Sequence, residues 1–205
     1  FTIPDLTTEN GVRESVAEAF IKPNLRRANF DVLIHAHVAK ILFDENKRAI
    51  GVMYYHKKKV AYARKEVILS AGAVDSPKLL MLSGVGPSDH LKSFQIPVIA
   101  DVAGVGQNFH DQPILFGIIF TVDKGNAWNF FTSFLNVSAH KDYVYRRKGP
   151  LSVTIGVESN AWHQISGGDP LYPDLQVLLM SISVATDFGL FVSDAFGLKR
   201  EVSLC

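Results

Sequence analysis

The chain has 205 residues, 21 of them basic and 20 acidic, so its formal net charge of +1 gives no global field for drawing nucleic acid or an acidic membrane. At 47% hydrophobic and 20% charged it has the composition of an ordinary globular chain, able to bury a sizeable core. The one cysteine, Cys205, excludes an internal disulfide, and the most apolar late run, 175–184, is too short to span a bilayer.

In chain order, residues 1–10 read as an extended lead-in. Residues 12–21 predict a short helix with Val16, Ala19 and Phe20 on one face, ended by Pro23, which disfavours helix at Lys22. Residues 30–43 are rich in Val, Ile and Phe and predict a long strand. Residues 44–47 supply turn chemistry. A second strand over 50–55, a polar turn over 57–59 and a third strand over 60–63 complete an antiparallel meander.

Residues 66–70 differ. Val67, Ile68 and Leu69 are consecutive apolar residues, as in a strand buried on both faces of a parallel sheet. Ala71 and Gly72 follow, small enough for a tight turn and the close approach of a backbone or ligand. Ser76 reads as an N-cap with Pro77 at the first helical position, giving a helix over 78–82 stopped by Gly84. A short helix over 89–94 and a short strand over 96–100 come next. Residues 104–108, Gly-Val-Gly-Gln-Asn, mark a boundary, and a domain division is placed near residue 110. Beyond it, strands are expected over 114–122, 151–162 and 175–184, and an aromatic-rich helix over 128–145.

The common chemical motifs are incomplete. A dinucleotide fingerprint needs G-x-G-x-x-G. Gly84-Val85-Gly86 has Asp89 at the third glycine position, and Gly104-Val105-Gly106 has Phe109. There is no Walker-type loop. The nucleophile elbow G-x-S-x-G fails at Ser70, where Ile68 replaces the first glycine, and at Ser83, flanked by Met81 and Val85. Seven histidines are present without H-E-x-x-H or a Cys/His cluster, so no metal ligand is assigned. His35 and His37 would alternate on one strand face as a half-buried pair. His110-Asp111 reads as loop capping. Asn136-Val137-Ser138 is a glycosylation sequon of a kind that arises often by chance.

What survives is the assembly over 70–86. Its frame, Gly72-Ala73-x-x-Ser76-Pro77-x-Leu79-Leu80-x-x-Ser83-Gly84-Val85-Gly86, resembles the second signature of the glucose-methanol-choline (GMC) oxidoreductases. Flanking segments over 10–23, 35–52, 96–113, 148–162 and 172–179 are similar to other parts of that family, with the flavour of its insect glucose-dehydrogenase-like branch. The resemblance implies a mixed α/β (α+β) chain. Residues 1–110 would be a partial, Rossmann-like FAD-binding domain with an antiparallel β-meander. Residues 111–205 would be part of an antiparallel-sheet substrate domain. It implies FAD as cofactor, a small alcohol or sugar as substrate, and hydride transfer from a CH–OH donor to the flavin. It further implies that the backbone of Val38 meets the adenine end of FAD, and that the Ser70-Ala71-Gly72 turn passes close to the nucleotide.

The family's glycine fingerprint, and its catalytic histidine with a His or Asn partner, have no match in this sequence, so no catalytic residue is assigned. Its Asn-Leu-x-Asp-His piece reads Asn108-Phe109-His110-Asp111-Gln112 here. The expectation is therefore a central fragment of such an enzyme, inactive by itself. A truncated, non-catalytic remnant or binding module is the alternative, and an unrelated α/β ligand-binding module is a third reading. Location is not written in the sequence; only the family branch points to secretion.

Overall fold

The computed structural model describes residues 2–3, 5–55, 59–115, 118, 120, 133–152, 157–169 and 171–182. The chain divides into two compact units, one of Phe1–Phe30 with Phe116–Cys205 and one of Asp31–Leu115.

The first unit opens with a hairpin in place of the expected helix start. Strands β1 (Thr8–Glu9) and β2 (Val12–Arg13) pair antiparallel across Asn10 and Gly11. Both turn residues have positive φ, 50° and 70°. This is the Asn-Gly chemistry of a tight hairpin, whose twist suits the flanking strands. The helical stretch is accordingly shorter, Ala17–Ile21, and it runs on as a 3-10 turn over Lys22–Asn24 with Pro23 near its start. The proline does not end it because the first turn of a helix leaves N–H groups unused.

Helix α3 (Val137–Arg146) follows later in the same unit. Asn136 caps it, its side-chain oxygen accepting from the Ser138 and Ala139 N–H groups at 2.9 and 3.3 Å. The expected start at 128 lies outside the described residues. Strands β8 (Val157–His163) and β9 (Leu175–Met180) form an antiparallel pair. Thr2 bridges to Asn160 on β8. The expected strand over 114–122 falls mostly outside the described residues, as do 153–156 and 183–184.

The second unit carries the meander. Strands β3 (Val38–Phe43), β4 (Ala49–Tyr54) and β5 (Lys59–Tyr62) pair antiparallel in sequence order. Asp44 organises the first turn, its carboxylate accepting from the Asn46 and Arg48 N–H groups at 3.0 and 2.8 Å, with Lys47 at φ 63°. The expected long strand over 30–43 is only its last six residues. His35 takes φ 55°, which breaks extended geometry, so the anticipated His35/His37 alternation does not form.

Residues 66–70 form no strand. Their apolar run is in place, but Ile68 is 79% exposed, because no described segment supplies the neighbouring ladder that a parallel strand requires. Helix α1 (Gly72–Leu82) starts four residues before the expected cap at Ser76. Gly72 adopts φ +87°, which lets the chain turn directly into helix after Ala71. Ser76 serves the N-terminus from inside, its hydroxyl accepting from the Ala71 N–H at 3.1 Å. Pro77 sits within the helix, where the Ala73 carbonyl forgoes its N–H partner.

After α1, strand β6 (Val85–Gly86) pairs parallel with β7 (Ala100–Asp101) around helix α2 (Ser88–Ser93). The expected strand over 96–100 is reduced to its end. Asp101 accepts from the Ser88 N–H at 2.9 Å and so caps α2 from thirteen residues away. Leu91, fully buried, and Ile41, 4% exposed, are the apolar centre of this unit.

Candidate functional site

The unit of residues 31–115 holds a cleft of about 820 Å³, within the range of small-molecule and cofactor sites. One wall is the segment Ala36 to Lys40 at the start of β3. The other is Ala71, just before α1, with the face of α1 that carries Asp75, Lys78, Leu79 and Leu82, and Gln95, Ile96 and Pro97 beside it.

The helical spacing explains the second wall. Positions 71, 75, 78, 79 and 82 recur at intervals of three and four, which places them on one face. The first wall carries a bulge: Val38 opposes Tyr54 while Lys40 opposes Met53, leaving Ala39 as the extra residue. Such bulges bend a strand and re-aim its side chains.

Two of the four residues expected to meet a cofactor, Val38 and Ala71, line this cleft together. Ser70 and Gly72 flank Ala71 in the exposed turn and do not line it themselves. A Cβ added at Gly72 would meet nothing within 4 Å, so the turn borders open space. His37 lines the cleft and His35 does not. His110 lies elsewhere, in an exposed loop where Asp111 caps the Gln112 N–H at 2.8 Å.

The charged lining is Lys40, Lys78 and Asp75. Lys78 and Asp75 pair at 3.0 Å but both are about 60% exposed, so the pair contributes little stability. The lining is otherwise mainly apolar. Lys40, Lys78, Leu79 and Gln95 were not anticipated from sequence. A helix started at Gly72 and read at helical spacing would have exposed the α1 face.

The end of the signature has a structural role that differs from a phosphate cradle. Ser83 is fully buried. Its hydroxyl donates to the Leu79 carbonyl at 2.6 Å and accepts from the Ile41 N–H at 2.8 Å. Gly84 takes φ +89°, and a Cβ there would stand 2.5 Å from the Pro97 carbonyl oxygen. The Gly84 carbonyl accepts from the Ile99 and Ala100 N–H groups at 2.8 and 3.1 Å. A Cβ on Gly86 would stand 2.9 Å from the Met81 side chain. Ser-Gly-Val-Gly is thus where helix, meander and parallel strand meet at close range. Among the described residues, no group of three or more His, Cys, Asp or Glu side chains could hold a metal ion, and no helix is long and apolar enough to cross a membrane.

A family model described as GMC oxidoreductase matches residues 3–114, more than half of the chain and the whole of the cleft. The chain belongs to the GMC oxidoreductase family. Among GMC relatives, mitochondrial choline dehydrogenase of Homo sapiens is 48% identical over 109 residues, covering 52% of this chain and 18% of that protein. The glucose dehydrogenase (FAD, quinone) of Drosophila melanogaster is 35% identical over 182 residues, covering 86% of this chain and 28% of that protein. A solved FAD-dependent oxidoreductase from Chaetomium thermophilum superposes with a TM-score of 0.61 at 29% identity, covering 76% of this chain and 28% of that one. The chain therefore spans only 18% to 28% of the length of these relatives.

Proposed function

We propose that this chain is the central part of an FAD-dependent oxidoreductase that oxidises a small alcohol or sugar, and that its cleft receives the nucleotide end of FAD. The observation that supports this reading most directly is that Val38 and Ala71, from separate segments, line one cleft of cofactor size beside an open glycine turn. In this reading residues 1–110 belong to a Rossmann-like FAD domain and residues 111–205 to a substrate domain.

The residues present suit the adenosine half of FAD. The Val38 backbone and the Ala71 turn would border the ring, with Ser70 and Gly72 leaving room for the chain of the cofactor. Lys40 and Lys78 would favour the negative charge that follows it. The pyrophosphate finds no glycine cradle in this sequence. When bound, FAD supplies the hydride acceptor for oxidation of a CH–OH group, while the protein contributes binding and orientation. No residue of this chain is assigned a proton-transfer role.

Half a site predicts weak and selective binding. Purified residues 1–205 should be colourless, without stoichiometric FAD and without alcohol-oxidising turnover. They should still bind ADP weakly in a calorimetric titration. Ala71→Phe, which fills the cleft from an exposed position, should abolish that binding with the fold intact. A wild-type chain that ignores ADP, or an Ala71→Phe chain that binds it as well as wild type, removes the reading.

A further inference from the structure

We infer that Ser83 is a positioning residue for this cleft: its buried hydroxyl ties β3 to α1 and holds the two walls at the spacing that a nucleotide end requires. The inference rests on the reading of the cleft given above.

The geometry is specific. Among the described strands, β3 is the edge of the meander, so its outward N–H groups face no described ladder partner. Ser83, just past the end of α1, supplies one to Ile41 at 2.8 Å. The same hydroxyl hands its single proton to the Leu79 carbonyl at 2.6 Å. Both bonds end on cleft walls. Leu79 lines the cleft from α1, and Ile41 directly follows Lys40, which lines it from β3. Ile41 is 4% exposed and Ser83 fully buried, so water cannot replace the link without the walls parting.

Removing the hydroxyl strands the Ile41 N–H. The free protein can relieve it by opening β3 away from α1 to water. Closing around a ligand then buries the unsatisfied group again, so the loss appears in affinity as a smaller binding-competent fraction. A uniformly destabilising substitution elsewhere in the unit does not have this effect while the chain stays folded.

The test is an ADP titration of the full chain, followed by calorimetry at a temperature where circular dichroism shows each variant folded. Four proteins are compared: wild type, Ser83→Ala, Ser83→Cys and Asp101→Ala. Asp101 caps α2 and does not line the cleft, so it reports general destabilisation. Ser83→Ala should bind about tenfold more weakly than wild type. Ser83→Cys, similar in shape but a poorer hydrogen-bonding group, should fall between them, and Asp101→Ala should match wild type. Equal affinity in Ser83→Ala and wild type overturns the inference, as does equal weakening in Ser83→Ala and Asp101→Ala. Should Ser83→Ala fail to fold, Ser83→Cys decides: wild-type affinity there overturns the inference. A wild-type chain that does not bind ADP brings down the cleft reading first and this inference with it, an outcome distinct from the others.

Discussion

Replacing Gly84 with alanine separates two costs that a glycine can hide. The first is conformational, since φ +89° lies where an L side chain meets its own carbonyl, a penalty of about 1–2 kcal/mol. The second is steric. The new Cβ would stand 2.5 Å from the Pro97 carbonyl oxygen and 3.3 Å from the Ile99 nitrogen, both backbone atoms that cannot rotate aside. The segment over 97–100 must move away, which breaks the bonds from Ile99 and Ala100 to the Gly84 carbonyl. At about 1 kcal/mol per hydrogen bond, the total loss is about 3–4 kcal/mol. That is a large share of a domain stability of about 5–15 kcal/mol.

Two other glycines calibrate the argument. Gly72 has nearly the same φ, +87°, but open space around its missing Cβ, so Gly72→Ala should lose only the conformational part, about 1–2 kcal/mol. Gly104 has open space and lies outside the left-handed range, so Gly104→Ala should stay within about 0.5 kcal/mol of wild type. Urea unfolding followed by circular dichroism measures all three. With a slope of about 2 kcal/mol/M, Gly84→Ala should lower the midpoint by roughly 1.5–2 M. A Gly84→Ala loss no larger than that of Gly72→Ala would refute the claim that this glycine serves close backbone approach.

Removing the Asp101 side chain should destabilise the second unit by about 1 kcal/mol in the same unfolding assay, the usual cost of a lost N-cap, whereas Asp101→Asn should retain most of it. Asn136→Ala should weaken the start of α3 by a similar amount, about 1 kcal/mol, read as faster amide exchange at Ser138 and Ala139. Asp174 gives a pH dependence. Hydrogen bonding from the Ser166 side chain, and then from the Ile165 amide, holds its carboxyl below the ordinary carboxylate value of 3.8. A depressed folded pKa contributes stability that is present above the unfolded value and lost as pH falls through the folded one. Amide protection at Ile165 and Ser166 should therefore hold near neutrality and fade below about pH 4. Asp174→Asn should remove that pH dependence.

The meander, the turn at Asp44, the short helix α2 and the stop at Gly84 were legible from sequence because each is written in local chemistry. Enrichment in Val, Ile and Phe, an Asp at a turn and a glycine after an apolar run act over a few residues. The Asn10-Gly11 hairpin is equally local, but the helical pattern that follows it masks its signal. The start of α1 differs from its sequence signal for another reason. Ser76-Pro77 is a strong start signal, yet a glycine at positive φ four residues earlier took precedence.

The family frame over 72–86 was also readable in the sequence, since it depends on fixed spacing and residue type. Its physical meaning was not. That Ser83 bonds Ile41 across the fold, that the Gly84 carbonyl accepts from the Ile99 N–H, and that Asp101 caps α2 are contacts between segments far apart in the chain. Residue type alone does not reveal such pairs, because each serine, glycine or aspartate has an equally ordinary local use. The same holds for the cleft. Sequence by itself determined which residues are small, apolar or charged; only the tertiary structure decided that Val38 and Ala71 share one wall-to-wall space, because that follows from β3 packing against α1 and from nothing within either segment.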